Sequence, residues 1–172
     1  MLLLSFIGMR RMSDILGKPS RPNCSVRCCD VNLADPQVVS IFLRAMKNDP
    51  FGEGHLIYIP AVTDSGLRVH DAFVSYMARA GLSTASQAPL IQGTRGSHGK
   101  KLSGTYYASW AVRFKALVSR FLPSAEGLST KSLRRGGATY AHSIGIPADF
   151  IRAVGCWESE AFNLYIARAK PS

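Results

Sequence analysis

Lys131-Ser132-Leu133-Arg134 sets two cations three residues apart, so on a helix they share a face. If Thr130 caps that helix, both fall in its first turn. Free backbone N–H groups and the positive end of the helix dipole favour an anion there, and a phosphate fits that chemistry. Downstream stand Gly155-Cys156-Trp157 and then Tyr165. An indole N–H can donate a hydrogen bond, and a phenol hydroxyl can act as a nucleophile. Upstream, Arg11 and Lys47 add a second guanidinium and an ammonium. Taken one at a time, each has a plain structural reading. K-x-x-R is usually a solvated basic turn, a lone tryptophan a core residue, and a lone tyrosine a half-buried helix residue. Arg11 could simply pair with Asp14, and Lys47 could be plain surface.

The elements that must carry these residues differ between the two halves of the chain. Met1 to Ile7 is apolar but short and reads as the end of a core helix. Residues 12–16 suit a short helix closed by Gly17, and 18–24 a loop around Pro19 and Pro22. Three strands are expected: Ser25–Val31, residues 38–46, where Val39, Ile41 and Leu43 alternate with Ser40, Phe42 and Arg44, and His55–Pro60. Asn48 to Gly54 is turn-rich and suits a hairpin connection. The second half reads as helical. Val69, Phe73, Tyr76, Met77 and Ala80 make one apolar stripe; Tyr107, Trp110, Phe114, Leu117, Val118 and Phe121 make another. A third helix after Thr130 would turn Leu133, Gly137, Tyr140, Ala141 and Ile144 inward. Pro147 suits the first turn of a fourth helix that Gly155 would end, and a last helix runs from about Ser159 to Ala167. The class is α+β: a mainly helical domain with a small antiparallel three-stranded sheet near the N-terminus.

The chain has 172 residues, enough for one core, with 47% hydrophobic residues. Its formal net charge of +10 favours a polyanionic partner, nucleic acid or an anionic membrane face. No stretch reaches the length of about 20 apolar residues that a membrane span needs, so the charge points to nucleic acid. Cys24, Cys28, Cys29 and Cys156 lack zinc spacing and read as thiols of an intracellular protein. His55, His70, His98 and His142 show no ligand spacing, so no metal is expected. Gly93 to Lys101 misses the P-loop pattern by one residue, and reads as a basic loop that could touch DNA backbone.

Lys131 to Thr139, then Gly155-Cys156-Trp157, then Tyr165, resembles the second half of the catalytic domain of the tyrosine recombinases, the phage integrase family. That family has H/K-x-x-R near a helix start, a His or Trp after a later glycine, and a nucleophilic Tyr soon after. Here Trp157 lies 23 residues after Arg134, and Tyr165 lies 8 after Trp157. Phe6 to Asp14 is similar to the family's first arginine motif, R-x-x-E/D. Arg11 carries the match because Asp14 stands three residues on, and Arg10 is the weaker register. Lys47, just before the turn, resembles the family's β-hairpin lysine.

The resemblance implies these roles. Tyr165 attacks a DNA phosphate and forms a 3′-phosphotyrosyl link. Arg11 and Arg134 hold the non-bridging oxygens, and Lys47 protonates the leaving 5′ oxygen. Lys131 contacts phosphate or relays a proton. Trp157 donates its indole N–H and packs the site, Asp14 orients an arginine, and Arg135 is structural. It implies double-stranded DNA as partner, a homo-oligomer (a tetramer) on DNA, and neither metal nor small-molecule cofactor. The expected location is with the DNA, in a nucleus or a prokaryotic cytoplasm. Residues 1–172 read as a catalytic domain without the N-terminal core-binding domain of the family: an isolated domain, a truncated gene product or a mobile-element remnant. Site-specific recombination or integration is the leading expectation. Type IB topoisomerase-like relaxation, a non-catalytic DNA-binding remnant, and a basic ribonucleoprotein component remain as alternatives.

Overall fold

Alternating apolar and polar residues build the sheet. In the computed structural model, which describes residues 1–16, 24–46, 49–92, 107–122 and 127–166, β2 spans Val38–Leu43 and β3 spans His55–Pro60. They pair antiparallel, with Val39 opposite Ile59 and Ile41 opposite Ile57, and all four side chains are buried. The other face carries Phe42, Leu56 and Tyr58, which are exposed. The strand expected over Ser25–Val31 is only partly formed: β1 is Val31–Asn32, paired with β2 through Val31 and Ile41. Cys28–Asp30 is a 3-10 turn instead. Its cause is Asp30, whose carboxylate accepts the Arg27 backbone N–H at 2.8 Å and the Arg44 guanidinium at 2.7 Å. A side chain that takes its neighbour's amide competes with the ladder. The same ion pair lies just beyond Leu43, where β2 stops short of the expected 46.

Asp49 organises the β2–β3 connection. Its carboxylate accepts the N–H groups of Glu53 at 3.0 Å and Gly54 at 2.9 Å. Those bonds, Gly54's foremost, hold the Asp49 carboxyl below its usual value. Gly54 has φ +74°, and a Cβ there would sit 2.4 Å from the Phe42 ring. Lys47, Gly17 and the basic loop 93–101 lie outside the described residues. Helix α3, Val69–Ala80, lays Val69, Phe73 and Met77 against the core and ends on Gly81 in the left-handed conformation. The Tyr76 hydroxyl donates to the Leu90 carbonyl at 2.6 Å, and burial raises its pKa.

The chain divides into two compact units, Ser13–Ser109 with the sheet and α3, and Met1–Met12 with Trp110–Ser172. Helix α2, Met12–Ile15, and helix α4, Tyr107–Ser119, cross the division. Phe114 of α4 is buried, whereas Phe121 lies past the helix end and is exposed.

In the helical unit α1, Leu2–Phe6, packs on α5, Thr130–Ser143, and α5 also packs on α6, Ala148–Gly155, and α7, Asn163–Ile166. The core joins Met9, Ala138, Ala141, Ile151, Trp157, Phe162 and Ile166. Tyr140 and Ile144, expected inward, are 39% and 45% exposed, and Arg134 and Ala138 point in instead. Ile144 lies past the end of α5, and the Tyr140 ring sits 5.9 Å from that of Phe6 at the edge of the contact. Gly137 is buried as expected, and a Cβ there would lie 1.9 Å from the Phe6 carbonyl oxygen, so bare backbone meets α1. Ser129 rather than Thr130 caps α5; its N–H donates to the Ser132 hydroxyl at 3.1 Å. The last expected helix is split into a 3-10 turn, Glu160–Phe162, and the single turn α7.

Two outcomes follow. Gly137→Ala improves helix propensity but lowers stability by about 1–3 kcal/mol through overpacking against Phe6, read as a lower urea midpoint. The Asp49 carboxyl is depressed on folding, so its contribution is present above the unfolded value of about 3.9 and is lost as pH falls through the lower folded value. The Gly54 amide resonance should titrate below the ordinary aspartate range, and Asp49→Asn should remove that step.

Candidate active site

The C-terminus of α6 is the place where the candidate residues meet. The helix ends in paired turns: the Cys156 N–H donates to the Ala153 carbonyl at 3.0 Å and the Trp157 N–H to the Arg152 carbonyl at 3.1 Å. Cys156, not Gly155, takes the left-handed conformation, with φ 50°. Gly155 is needed for space. A Cβ on it would sit 1.6 Å from the Trp157 ring, so the indole folds back over the helix end only because position 155 is bare.

Arg134 reaches this corner from the first turn of α5. Its guanidinium donates to the Gly155 carbonyl at 3.0 Å and lies 4.2 Å from the centroid of the Trp157 ring. Only 6% of Arg134 is exposed. A guanidinium fixed by a carbonyl on one edge and an indole on one face has lost most of its rotamer freedom before any ligand arrives. Trp157 stacks on Phe162 at 6.0 Å and meets the Tyr165 ring, tilted, at 6.3 Å. The structure thus brings Arg134, Trp157 and Tyr165 into one chain of contacts. Tyr165 is half-buried, and among the described residues none hydrogen-bonds its hydroxyl. Lys131 is exposed in the same first turn as Arg134, where no acidic side chain stands.

The two N-terminal arginines part company. Arg10 is 1% exposed, and its guanidinium donates to the carbonyls of Gly8, at 3.1 Å, and Val154. Val154 and Gly155 are consecutive, so Arg10 and Arg134 take neighbouring carbonyls at the negative end of α6, where cations are favoured. Arg11 is partly exposed, and among the described residues no hydrogen bond or ion pair engages it. Of the pair, only Arg11 therefore keeps a guanidinium that an outside anion can reach. Asp14 is buried, with the Ser13 hydroxyl 3.4 Å away. Lys47 lies outside the described residues.

Sequence reasoning missed three residues here. Arg10 was set aside as the weaker register, and its burial shows a structural use. Arg152 spans the segment after α6, donating to the carbonyls of Trp157 at 3.1 Å and Glu158 at 3.2 Å and to the Glu160 carboxylate at 3.0 Å. Its place in the last turn of a helix was the available signal. Thr139 places its hydroxyl 2.9 Å from the Tyr165 carbonyl. Among the described residues no group of His, Cys, Asp and Glu could hold a metal ion, and no helix is long and apolar enough to cross a membrane.

No family model and no curated protein sequence matches this chain. Solved structures do match its fold. Against the crystal structure of XerA recombinase the TM-score is 0.66 at 16% identity, covering 95% of this chain and 49% of that one. Against the Tn1549 transposon integrase in complex with circular intermediate DNA it is 0.59 at 16% identity, covering 98% and 52%. A form of that integrase bound to transposon right-end DNA gives 0.59 at 12% identity, covering 96% and 52%. The chain shares the fold of these recombinase and integrase structures, and it spans about half their length.

The two arginines should separate cleanly on mutation. Arg10→Ala leaves buried carbonyls unpaired and should cost about 1–3 kcal/mol, seen as a lower melting temperature. Arg11→Ala should stay within about 0.5 kcal/mol of the parent, as surface changes do.

Proposed function

We propose that this chain cuts and rejoins a DNA strand through a 3′-phosphotyrosyl intermediate, in site-specific recombination or integration of a mobile element. The observation that carries the reading is the contact chain Arg134–Trp157–Tyr165, which sets a fixed guanidinium near a phenol whose hydroxyl is uncommitted among the described residues. The fold shared with a recombinase and a DNA-bound transposon integrase supports it, as does the net charge of +10.

In the proposed step the Tyr165 oxygen attacks the scissile phosphorus and gives up its proton to solvent water. The bond to the 5′ oxygen breaks, and that oxygen takes a proton from the Lys47 ammonium. Arg134 and Arg11 stabilise the charge that builds on the non-bridging oxygens, with Lys131 contacting the phosphate from the helix start. Trp157 holds the Arg134 guanidinium in plane. The phosphotyrosine conserves the energy of the broken bond, so a 5′-hydroxyl can reverse the step without a nucleotide. Double-stranded DNA is the substrate, and strand exchange would need several copies of the protein on it.

The test is incubation with nicked or bubble-containing duplex DNA, followed by a search for a detergent-resistant protein–DNA adduct. Tyr165→Phe should abolish the adduct, and Arg134→Ala should slow its formation by about 10²–10³-fold. EDTA should change nothing. An adduct that persists in Tyr165→Phe, or one that a chelator removes, would overturn the proposal.

A further inference from the structure

Tyr165 sits on α7, described over Asn163–Ile166. Most helical stability in a protein comes from tertiary packing, so the contacts of α7 decide how the tyrosine is held. Helix α5 supplies two contacts. Arg135 holds its guanidinium carbon 5.1 Å from the centroid of the Tyr165 ring. One turn further on, the Thr139 hydroxyl lies 2.9 Å from the Tyr165 carbonyl and 3.0 Å from the Arg135 carbonyl. Its single proton serves one acceptor at a time or is shared.

Arg134 and Arg135 are consecutive, and a helix turns about 100° per residue. The first therefore runs to the indole of Trp157 and the second to the phenol ring of Tyr165. Arg135 is exposed, and among the described residues no hydrogen bond or ion pair engages its guanidinium. Its described contact is the ring.

We infer that Arg135 and Thr139 are positioning residues that hold Tyr165 from two sides, the hydroxyl by its backbone and the guanidinium by its ring, leaving the phenol oxygen to reach a phosphate. This rests on the strand-cleavage reading for its consequence, though not for its geometry. A nucleophile displaced by about 1 Å can lose on the order of 10²-fold in rate. Each single contact is worth less. An exposed cation over a ring shifts a population by about 2–5-fold, and one neutral hydrogen bond by about 2–10-fold.

The experiment measures adduct formation on nicked duplex DNA together with DNA affinity across salt concentrations, for the full chain and for Arg135→Gln, Arg135→Lys, Thr139→Val and the double variant Arg135→Gln/Thr139→Val. In parallel, 3-fluorotyrosine is incorporated and the Tyr165 fluorine resonance, assigned with Tyr165→Phe, is followed in the free protein. Arg135→Gln and Thr139→Val should each slow adduct formation by about 2–10-fold, and the double variant by on the order of 10–50-fold. DNA affinity and its salt slope should hold, the fluorine resonance should move, and Arg135→Lys should recover part of the rate. Weaker binding with a salt slope reduced by about one would make Arg135 a phosphate contact and overturn the inference. Parental rates with an unmoved resonance would overturn it too. If the parent itself forms no adduct, the strand-cleavage reading fails, and the fluorine resonance alone decides whether α5 holds the ring.

Discussion

The bare position at Gly155 is the constraint on which the site depends. A methyl group there would occupy the space of the Trp157 ring. With the space open, the indole folds over the end of α6 and forms the floor on which the Arg134 guanidinium lies and the wall that the Tyr165 ring meets. Phe162 closes the stack from behind. Three groups drawn from three segments are thus referred to one ring, and that ring to one missing side chain.

Around this ring the protein handles its positive charge economically. Cations do not enter an interior unpaired. Here carbonyls accept from them: Gly155 from Arg134, Val154 from Arg10, and Trp157 and Glu158 from Arg152. The end of a helix offers just such oxygens, with the dipole adding to their pull. The carbonyls order the cations with few carboxylates, since Glu160 with Arg152 is the one acidic ion pair described in this corner. An arrangement of this kind leaves the net field positive, which suits an anionic partner.

Much of this was legible in the chain. Strict alternation in Val39, Ile41 and Leu43 fixed which face of β2 is buried, and the spacing of Val69, Phe73 and Met77 fixed α3. The K-x-x-R, Gly-x-Trp and Tyr spacing pointed to Arg134, Trp157 and Tyr165, which the fold brings into contact. What was not legible depended on partners far along the chain. Asp30 bent the expected first strand into a turn by taking the Arg44 side chain. Ile144 falls past the end of α5 and Tyr140 meets the Phe6 ring only at the edge of the contact, so neither is buried as the spacing suggested. Arg10 and Arg11 look alike as letters; only burial separates a structural guanidinium from an accessible one. Thr139 carries no motif at all, because a hydroxyl on a neighbour's carbonyl leaves no trace in spacing.

The seating of α1 on α5 has a bearing on how the protein is made. Phe6 of α1 meets the bare backbone of Gly137, and 131 residues separate the two along the chain. At a synthesis rate of about 5–20 residues per second, α1 is made on the order of ten seconds before its seat on α5. The loop it then closes is long, though closure entropy grows only with the logarithm of length, so the delay burdens kinetics far more than final stability. During that wait the apolar side of α1 is open to chaperones, and assembly of the helical unit is deferred until α5 has followed it.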